Sequence, residues 1–357
     1  MNVSVGVSLA EHTTLGVGGP AAHWCEARSR EQILQALAWA DERGLPTVVL
    51  GGGSNVLVAD RGIEGLVLRV RNEAIDATTH EDRARVTVAA GTNWDALVRW
   101  SVAEGYAGLE CLSGIPGEVG AAPMQNIGAY GQEVGQVIRR VELMSRADGQ
   151  TVEFAQAACE FGYRDSVFKT KLADRYVVVG VEFELTRCRP TIAYAELARA
   201  LANEAEPTVA HVRDTVLSLR RAKSMLLDAH DANGKSAGSF FVNPTLSPEQ
   251  AQAVEVRALS RGVDAPMPRF SHGSQVKLSA AWLIERAGFA KGTRSGEVGL
   301  STKHSLAVVN HGRATAADIV AFATDVRNRV RDAFGISLSP EPRPMGFYPE
   351  ELVGLYD

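Results

Sequence analysis

The sequence predicts an α+β fold of more than one domain, and three observations carry that prediction. The stretch "LGGGSNVLV", residues 50–58, has a strand on both sides of its glycines. Capped helices with one apolar face are interspersed with alternating strands rather than set in regular βαβ order. Near Thr208 the chain changes character, from strand-rich to helix-rich.

The elements follow in chain order. Ser29 opens a capping box, S-x-x-Q, before Ile33, Leu34, Leu37 and Ala38 at helical spacing, and Gly44 and Pro46 stop that helix. Thr47-Val48-Val49-Leu50 is the strand that feeds the glycines. The glycine string nearly matches the dinucleotide fingerprint, with Val56 where a third Gly or Ala would stand. That fingerprint requires a helix after the loop. Val56-Leu57-Val58 and the turn Ala59-Asp60-Arg61-Gly62 read instead as a second strand and its end. The Rossmann reading fails. Residues 65–70 and 84–89 are further strands, and Thr92 (T-x-x-D) is expected to cap a helix carrying Trp94, Leu97, Val98 and Val102, with Gly105 behind it. Residues 177–185 form a strand whose later part alternates Val181, Phe183 and Leu185 with Glu182 and Glu184. From Thr208 a helix carries Val209, Val212, Val216 and Leu219 on one face and ends in Arg220-Arg221-Ala222-Lys223. Ser247 opens another helix, and Thr315 to Phe334 is a third, closed by Gly335. No internal repeat or low-complexity linker interrupts the chain, and a domain boundary is expected near 205–220.

Composition narrows the class. Hydrophobic residues make up 45% and charged residues 22% of the 357, as in soluble globular proteins. A net charge of −5 gives no electrostatic argument for nucleic acid or an anionic membrane. The start, MNVSVGVSLAEHTT, lacks the basic and apolar regions of a signal peptide. Cys25, Cys111, Cys159 and Cys188 are scattered without a CxxC, so neither a metal site nor a disulfide framework is indicated. A cytoplasmic setting is expected.

A second segment, "LECLSGIPGEVGAAPMQNIGAYGQEV" (109–134), has five glycines, two prolines and only three charged residues. A buried connection between domains would look similar. Buried loops, however, must satisfy every backbone N–H and C=O, and one with so few polar side chains does so best on a large ligand. Two such loops suit a dinucleotide whose pyrophosphate is held by backbone N–H groups rather than by a helix end.

"GGGSNVLV", "LSGIPGEVGAAPMQNIGAYG", "YRDSVFK", "AGSFFVNP" and "PEPRPMG", in that order, resemble the UDP-N-acetylenolpyruvoylglucosamine reductase family of peptidoglycan synthesis. The similarity runs from His12 to about Phe347. It implies a two-subdomain FAD-binding fold of the vanillyl-alcohol-oxidase type plus a C-terminal α+β substrate-binding domain. The expected limits are 1–72 and 73–207 for the two FAD subdomains and 208–339 for the substrate domain, with 340–357 packing back on the first. FAD is implied as bound cofactor, NADPH as hydride donor and UDP-N-acetylglucosamine enolpyruvate as substrate. A monomer without nucleic-acid or membrane partners is expected. The cofactor residues implied are Gly51, Gly52, Gly53, Ser54, Asn55 and Val56 in the first loop. In the second they are Ser113, Gly114, Ile115, Pro116, Gly117, Gly120, Ala121, Asn126, Gly128, Ala129 and Tyr130.

Reducing an enol ether beside a carboxylate needs a hydride for one carbon, a proton for its neighbour and support for the charge that builds on the carboxylate. Side chains carry no hydride, and flavin does. Ser239, in Gly238-Ser239-Phe240-Phe241, matches the family's proton donor. A serine after glycine is otherwise a turn residue. Arg164 has a permanent charge and forked donors suited to a carboxylate. Glu341 stands between two prolines on stiff backbone. The resemblance gives Arg164 and Glu341 the enol-like intermediate, and Tyr163, Tyr194 and Asn243 the substrate site. Tyr194 matches the extra loop of the family's longer, type I branch. Two positions depart from the family. His304 stands where relatives carry glutamine, and Lys223, matched to the lysine that meets the substrate diphosphate, lacks the usual Pro-containing turn after it and has Lys235 as a local alternative. An oxidase of the same flavin fold acting on an alcohol or sugar lactone, or a nucleotide-binding module without chemistry, would be the other readings.

Overall fold

Ser29 accepts the Gln32 N–H, and Gln32 Oε1 in turn accepts the Arg28 N–H at 2.7 Å, so the first helix begins where the capping box places it, Arg30–Asp41. Its buried stripe is Ile33, Ala36, Leu37 and Ala40, whereas Leu34 is 44% exposed. The helix therefore turns a slightly different face inward than the apolar count alone indicates. The computed structural model describes residues 1–356, and Asp357, the last residue of the expected 340–357 segment, lies outside them. Two compact units emerge. The first comprises Met1–Val7, Ala21–Gly53 and Glu64–Leu227, and the second Ser8–Pro20, Ser54–Ile63 and the chain from Asp228 onward.

The first unit holds two larger sheets beside the short hairpin Gly128–Ala129/Gln132–Glu133. One orders Ser4–Ser8, Pro20–Ala27, Ile63–Val70 and Thr47–Leu50, the last two pairing in parallel from Thr47↔Leu66 to Leu50↔Arg69. The other is antiparallel, ordered Thr151–Ala155, Ile138–Ser145, Tyr176–Thr186, Arg83–Ala89, Ile75–His80. One apolar core joins them, from Ile33, Leu66 and Leu68 through Val86 and Leu97 to Phe183. Burying each such side chain contributes about 1.5–3 kcal/mol.

Two local expectations are corrected. The helix Trp94–Ala103 is capped by Asn93, whose side chain accepts the Ala96 N–H, and not by Thr92. The Thr92 hydroxyl is engaged elsewhere, accepting from the Ala74 N–H and donating to the Ala74 carbonyl, both at 3.2 Å. On Tyr176–Thr186, Glu182 does not face water. It is 4% exposed beneath Arg140 and Arg139, each about 3.0 Å from a carboxylate oxygen.

The helix Val209–Ala222, capped by Thr208, belongs to the first unit. In the second unit Ser247 caps Pro248–Ser260, and Thr315 caps Ala316–Phe334, which ends on Gly335 in the left-handed region at φ +75°. Asp60 accepts the Ala316 and Ala317 N–H groups as well, fixing that helix to the turn after Val56–Val58. The strand Val56–Val58 pairs in parallel with Arg343–Met345. Among the described residues no helix is long and apolar enough to cross a membrane, and all four cysteines are free thiols.

Candidate active site

In the first unit the two glycine-rich loops touch. A Cβ placed on Gly52 would lie 2.8 Å from Gly117 Cα, so only bare backbone lets them meet. Gly53 adopts φ +64° and Gly117 φ +125°, conformations that favour glycine. Among the described residues, the N–H groups of Gly51, Gly52 and Gly53 make no hydrogen bond to another part of the chain in the loops and turns. Beside them Glu118 is 6% exposed, with Oε1 3.3 Å from both Arg69 and Arg71. Burial pushes its carboxyl up against the pull of those two guanidinium groups.

Other glycines of the second loop serve the loop itself. Gly120 packs on Ala90, where a Cβ would lie at 2.6 Å, and donates its N–H to the Ala90 carbonyl. The Ser113 hydroxyl donates to the Glu110 carbonyl at 2.6 Å, while Ile115 and Ala121 donate their N–H groups to Leu112 and Glu118. Asn126, 2% exposed and at φ +46°, accepts the Gly135 N–H and donates to Glu133 and to the Gly162 carbonyl. It ties this loop to the tight turn Gly162–Asp165, on which Tyr163 and Arg164 sit. Arg164, at φ +56°, donates to the Gly128 carbonyl at 2.7 Å, and its guanidinium lies 5.4 Å from the Tyr163 ring. A Cβ on Gly128 would come within 3.0 Å of Arg164 Nη1, so this glycine leaves room for the arginine.

In the turn of the hairpin that pairs Ala129 with Gln132, Tyr130 (φ +48°) meets Tyr194 edge to face at 5.5 Å. Burial raises both phenols, Tyr130 to about 12. Lys223 Nζ stands 5.8 Å from the Tyr130 ring and 2.5 Å from Glu196 Oε2. Arg220 was not singled out from the sequence. It is 8% exposed, its Nε has no hydrogen-bond partner, and that nitrogen would lie 3.5 Å from a Cβ on Gly114. Burial pulls its guanidinium below its ordinary value. Its spacing of three from Lys223 puts both on one helix face, the signal by which it could have been found.

Gly114 is anchored through its N–H to Asp95 Oδ1 at 2.7 Å, and Asp95 also receives a forked pair from Arg213 at 2.8 and 2.7 Å. Burial opposes ionisation of Asp95, but the bonds from Arg213 and Gly114 prevail and hold its carboxyl below the usual range. A carboxyl lowered in the folded state stabilises above its unfolded value, about 3.9, and loses that contribution as pH falls through the folded value. Asp95→Asn is thus expected to cost about 1–3 kcal/mol at neutral pH. Melting temperatures of the two proteins should converge as pH falls below the unfolded value, about 3.9, through the lowered folded one. A constant gap across pH would show that the charge is not what matters.

The second unit gathers a different set by backbone pairing. Phe240 donates its N–H to the Leu306 carbonyl at 2.7 Å and accepts the Glu341 N–H at 2.8 Å. Ser239, half-buried, thus sits between the Leu306 and Glu341 segments. Asn55 joins them, donating from Nδ2 to the Glu341 carbonyl at 3.3 Å and accepting the Arg343 N–H at 3.0 Å. Ser54 accepts from the Thr14 hydroxyl at 3.4 Å. His304 turns the chain two residues before Leu306, its carbonyl accepting the Ala307 N–H. Asn243 Oδ1 accepts the Ala280 N–H at 2.9 Å, so part of that amide serves a helix start. Lys235 is exposed and its carbonyl accepts the Asn310 N–H, whereas Lys223 stands by the tyrosine pair.

The structure therefore brings Gly51 and Gly52 together with Gly117, Glu118 and Ala121, and Tyr130 with Tyr194, Lys223 and Arg220, in the first unit. Asn55, Val56, Ser239 and Glu341 come together in the second. Residues 21–155 match a family model described as an FAD binding domain, which defines the class. Residues 229–345 match the C-terminal domain of UDP-N-acetylenolpyruvoylglucosamine reductase. The chain is 48% identical over 347 residues to the protein of that name from Thermobifida fusca, covering 95% of this chain and 97% of the other. The Nocardia farcinica protein of the same name is 45% identical over 350 residues, at 95% and 89% coverage. A solved structure of the Thermus caldophilus reductase (MurB) superposes with a TM-score of 0.64 at 26% identity, over 96% of this chain and 98% of that one. The chain belongs to the UDP-N-acetylenolpyruvoylglucosamine reductase family.

Proposed function

We propose that this protein reduces UDP-N-acetylglucosamine enolpyruvate to UDP-N-acetylmuramate, with FAD bound and NADPH as reductant, in peptidoglycan precursor synthesis. The observation that carries the reading is the 48% identity to a reductase of that name across nearly the full length of both chains. A cytoplasmic monomer belongs to this reading, since nucleotide sugars and NADPH are cytoplasmic metabolites. The residues present fit the cofactor. Where Gly52 abuts Gly117 the backbone is bare, the N–H groups of Gly51 to Gly53 are uncommitted among the described residues, and Arg220 offers a buried donor beside Gly114. Such a surface suits a pyrophosphate and a polar ring edge.

The bare backbone at Gly52 and Gly117 and the Arg220 guanidinium would hold FAD, which when bound would supply the hydride chemistry that side chains lack. Arg164 receives the substrate carboxylate. One arm of its guanidinium is fixed on the Gly128 carbonyl, so the charge is pre-positioned rather than recruited. Glu341, on backbone pinned at its N–H and its carbonyl, keeps a fixed electrostatic role as the enol-like charge develops. The Ser239 hydroxyl hands its proton to the carbon next to the one reduced. Tyr163, Tyr194, Lys223, Asn243 and His304 bind the rest of the substrate, with Lys223 on the diphosphate.

The test is direct. The purified protein should be yellow, NADPH should bleach it anaerobically, and the enolpyruvyl substrate should restore the colour without oxygen. A colourless protein, or one reoxidised only by oxygen while turning over an alcohol or lactone, would overturn the reading.

A further inference from the structure

The segment that carries Glu341 is short of backbone donors. Within Pro340-Glu341-Pro342-Arg343-Pro344 only Glu341 and Arg343 have an N–H. Both are used, toward the Phe240 and Asn55 carbonyls. Asn55 Nδ2 holds the Glu341 carbonyl and the strand Val56–Val58 pairs with Arg343–Met345, and further restraint comes from the end of the chain. The Tyr356 hydroxyl donates to the Pro342 carbonyl at 2.8 Å. Arg327, 8% exposed within Ala316–Phe334, donates from Nε to the Leu338 carbonyl at 3.2 Å and from Nη1 to the Gly354 carbonyl at 2.7 Å. The chain end is therefore bolted by one guanidinium to the approach to Glu341, and by one phenol to the residue after it. Leu355 is fully buried, and the Tyr356 ring packs on the second unit's apolar core.

We propose that Tyr356, with Arg327, is a positioning residue for Glu341. The chain end holds the Pro340–Pro344 segment so that the carboxylate is presented in one place. This rests on the reading that Glu341 acts in the reduction. A misplacement of a catalytic group by a fraction of an ångström is costly in rate even when the fold survives.

The experiment compares Tyr356→Phe and Glu341→Gln as full-length flavoproteins. Tyr356→Phe keeps the ring and removes only the hydroxyl. It should bind flavin and be bleached by NADPH normally, while reoxidation by UDP-N-acetylglucosamine enolpyruvate falls about tenfold. Hydrogen exchange at the Glu341 and Arg343 amides should quicken several-fold, with little change in melting temperature. Glu341→Gln should slow the same half of the reaction more, without quickening those amides. If Glu341→Gln is slow but Tyr356→Phe reoxidises normally, the positioning role is wrong. If Glu341→Gln itself reoxidises normally, the reading of Glu341 falls, and this inference with it. If Tyr356→Phe loses flavin and melts early, the phenol is merely structural and the inference is likewise overturned.

Discussion

Replacing Gly52 by valine is expected to yield a folded protein that purifies with little of its flavin. The reason differs from the one its sequence alone offers. Three glycines in a row invite the idea that a phosphate comes against each of them. At Gly52 the near neighbour is protein, because a Cβ would stand 2.8 Å from Gly117 Cα and 3.4 Å from its carbonyl carbon. Backbone does not yield as the tip of a flexible side chain does, so the two loops must part. Overpacking of this kind costs about 1–3 kcal/mol. If that cost falls on the cofactor-competent arrangement, affinity drops by about 10- to 100-fold, at 1.4 kcal/mol per tenfold. The core of the first unit, from Ile33 to Phe183, is untouched, so circular dichroism should be normal. Visible absorbance after desalting measures the loss, and Gly52→Ala should show a smaller one. A Gly52→Val protein that keeps all its flavin would separate the contact between the loops from cofactor binding.

Much of this architecture is legible in the sequence, and the limits have physical causes. The failure of the dinucleotide fingerprint could be read locally, because it turns on whether a helix or a strand follows the glycines. The strand Val56–Val58 was visible, but its partner Arg343–Met345 lies far along the chain, and no local pattern specifies such a pairing. The shift of the cap from Thr92 to Asn93 has the same origin, since Thr92 is engaged by Ala74, eighteen residues earlier. Asn126 reads as a ligand contact in a bare loop, and its amide also braces that loop through Gly135, Glu133 and Gly162, contacts that no local pattern specifies. Arg220 reads as part of a solvated basic helix end, although its spacing from Val216 and Lys223 already sets it on the buried face with Val212 and Val216. Ser239 and Glu341 were named from their motifs. That a backbone pair brings them to adjacent positions, Glu341 N–H to the Phe240 carbonyl, is tertiary information.

Ser239→Ala is expected to fail in one half of the reaction only. Reduction by NADPH requires no proton for the substrate carbon, so the variant should bind flavin and be bleached at a near-normal rate. Reoxidation by the enolpyruvyl substrate should fall by at least ~10²-fold, the lower range for a lost general acid. The structure makes this a clean substitution. Phe240 and Phe241, 0% and 1% exposed, hold the segment through the Leu306 and Glu341 pairings, and all of those bonds are made by backbone. Removing one oxygen from the half-buried Ser239 therefore leaves its surroundings in place. Ser239→Cys should recover part of the rate, because a thiol also donates a proton. Rapid-mixing measurements of the two halves separate the possibilities. Equal loss in both would indicate a packing fault around Phe240 and Phe241. A slow NADPH step with normal reoxidation would make the proton-donor role untenable. With Glu341 fixed beside Phe240 and Arg164 set on the Gly128 carbonyl, the charge-handling groups of the variant remain where they were. The deficit should then be that of the missing proton alone.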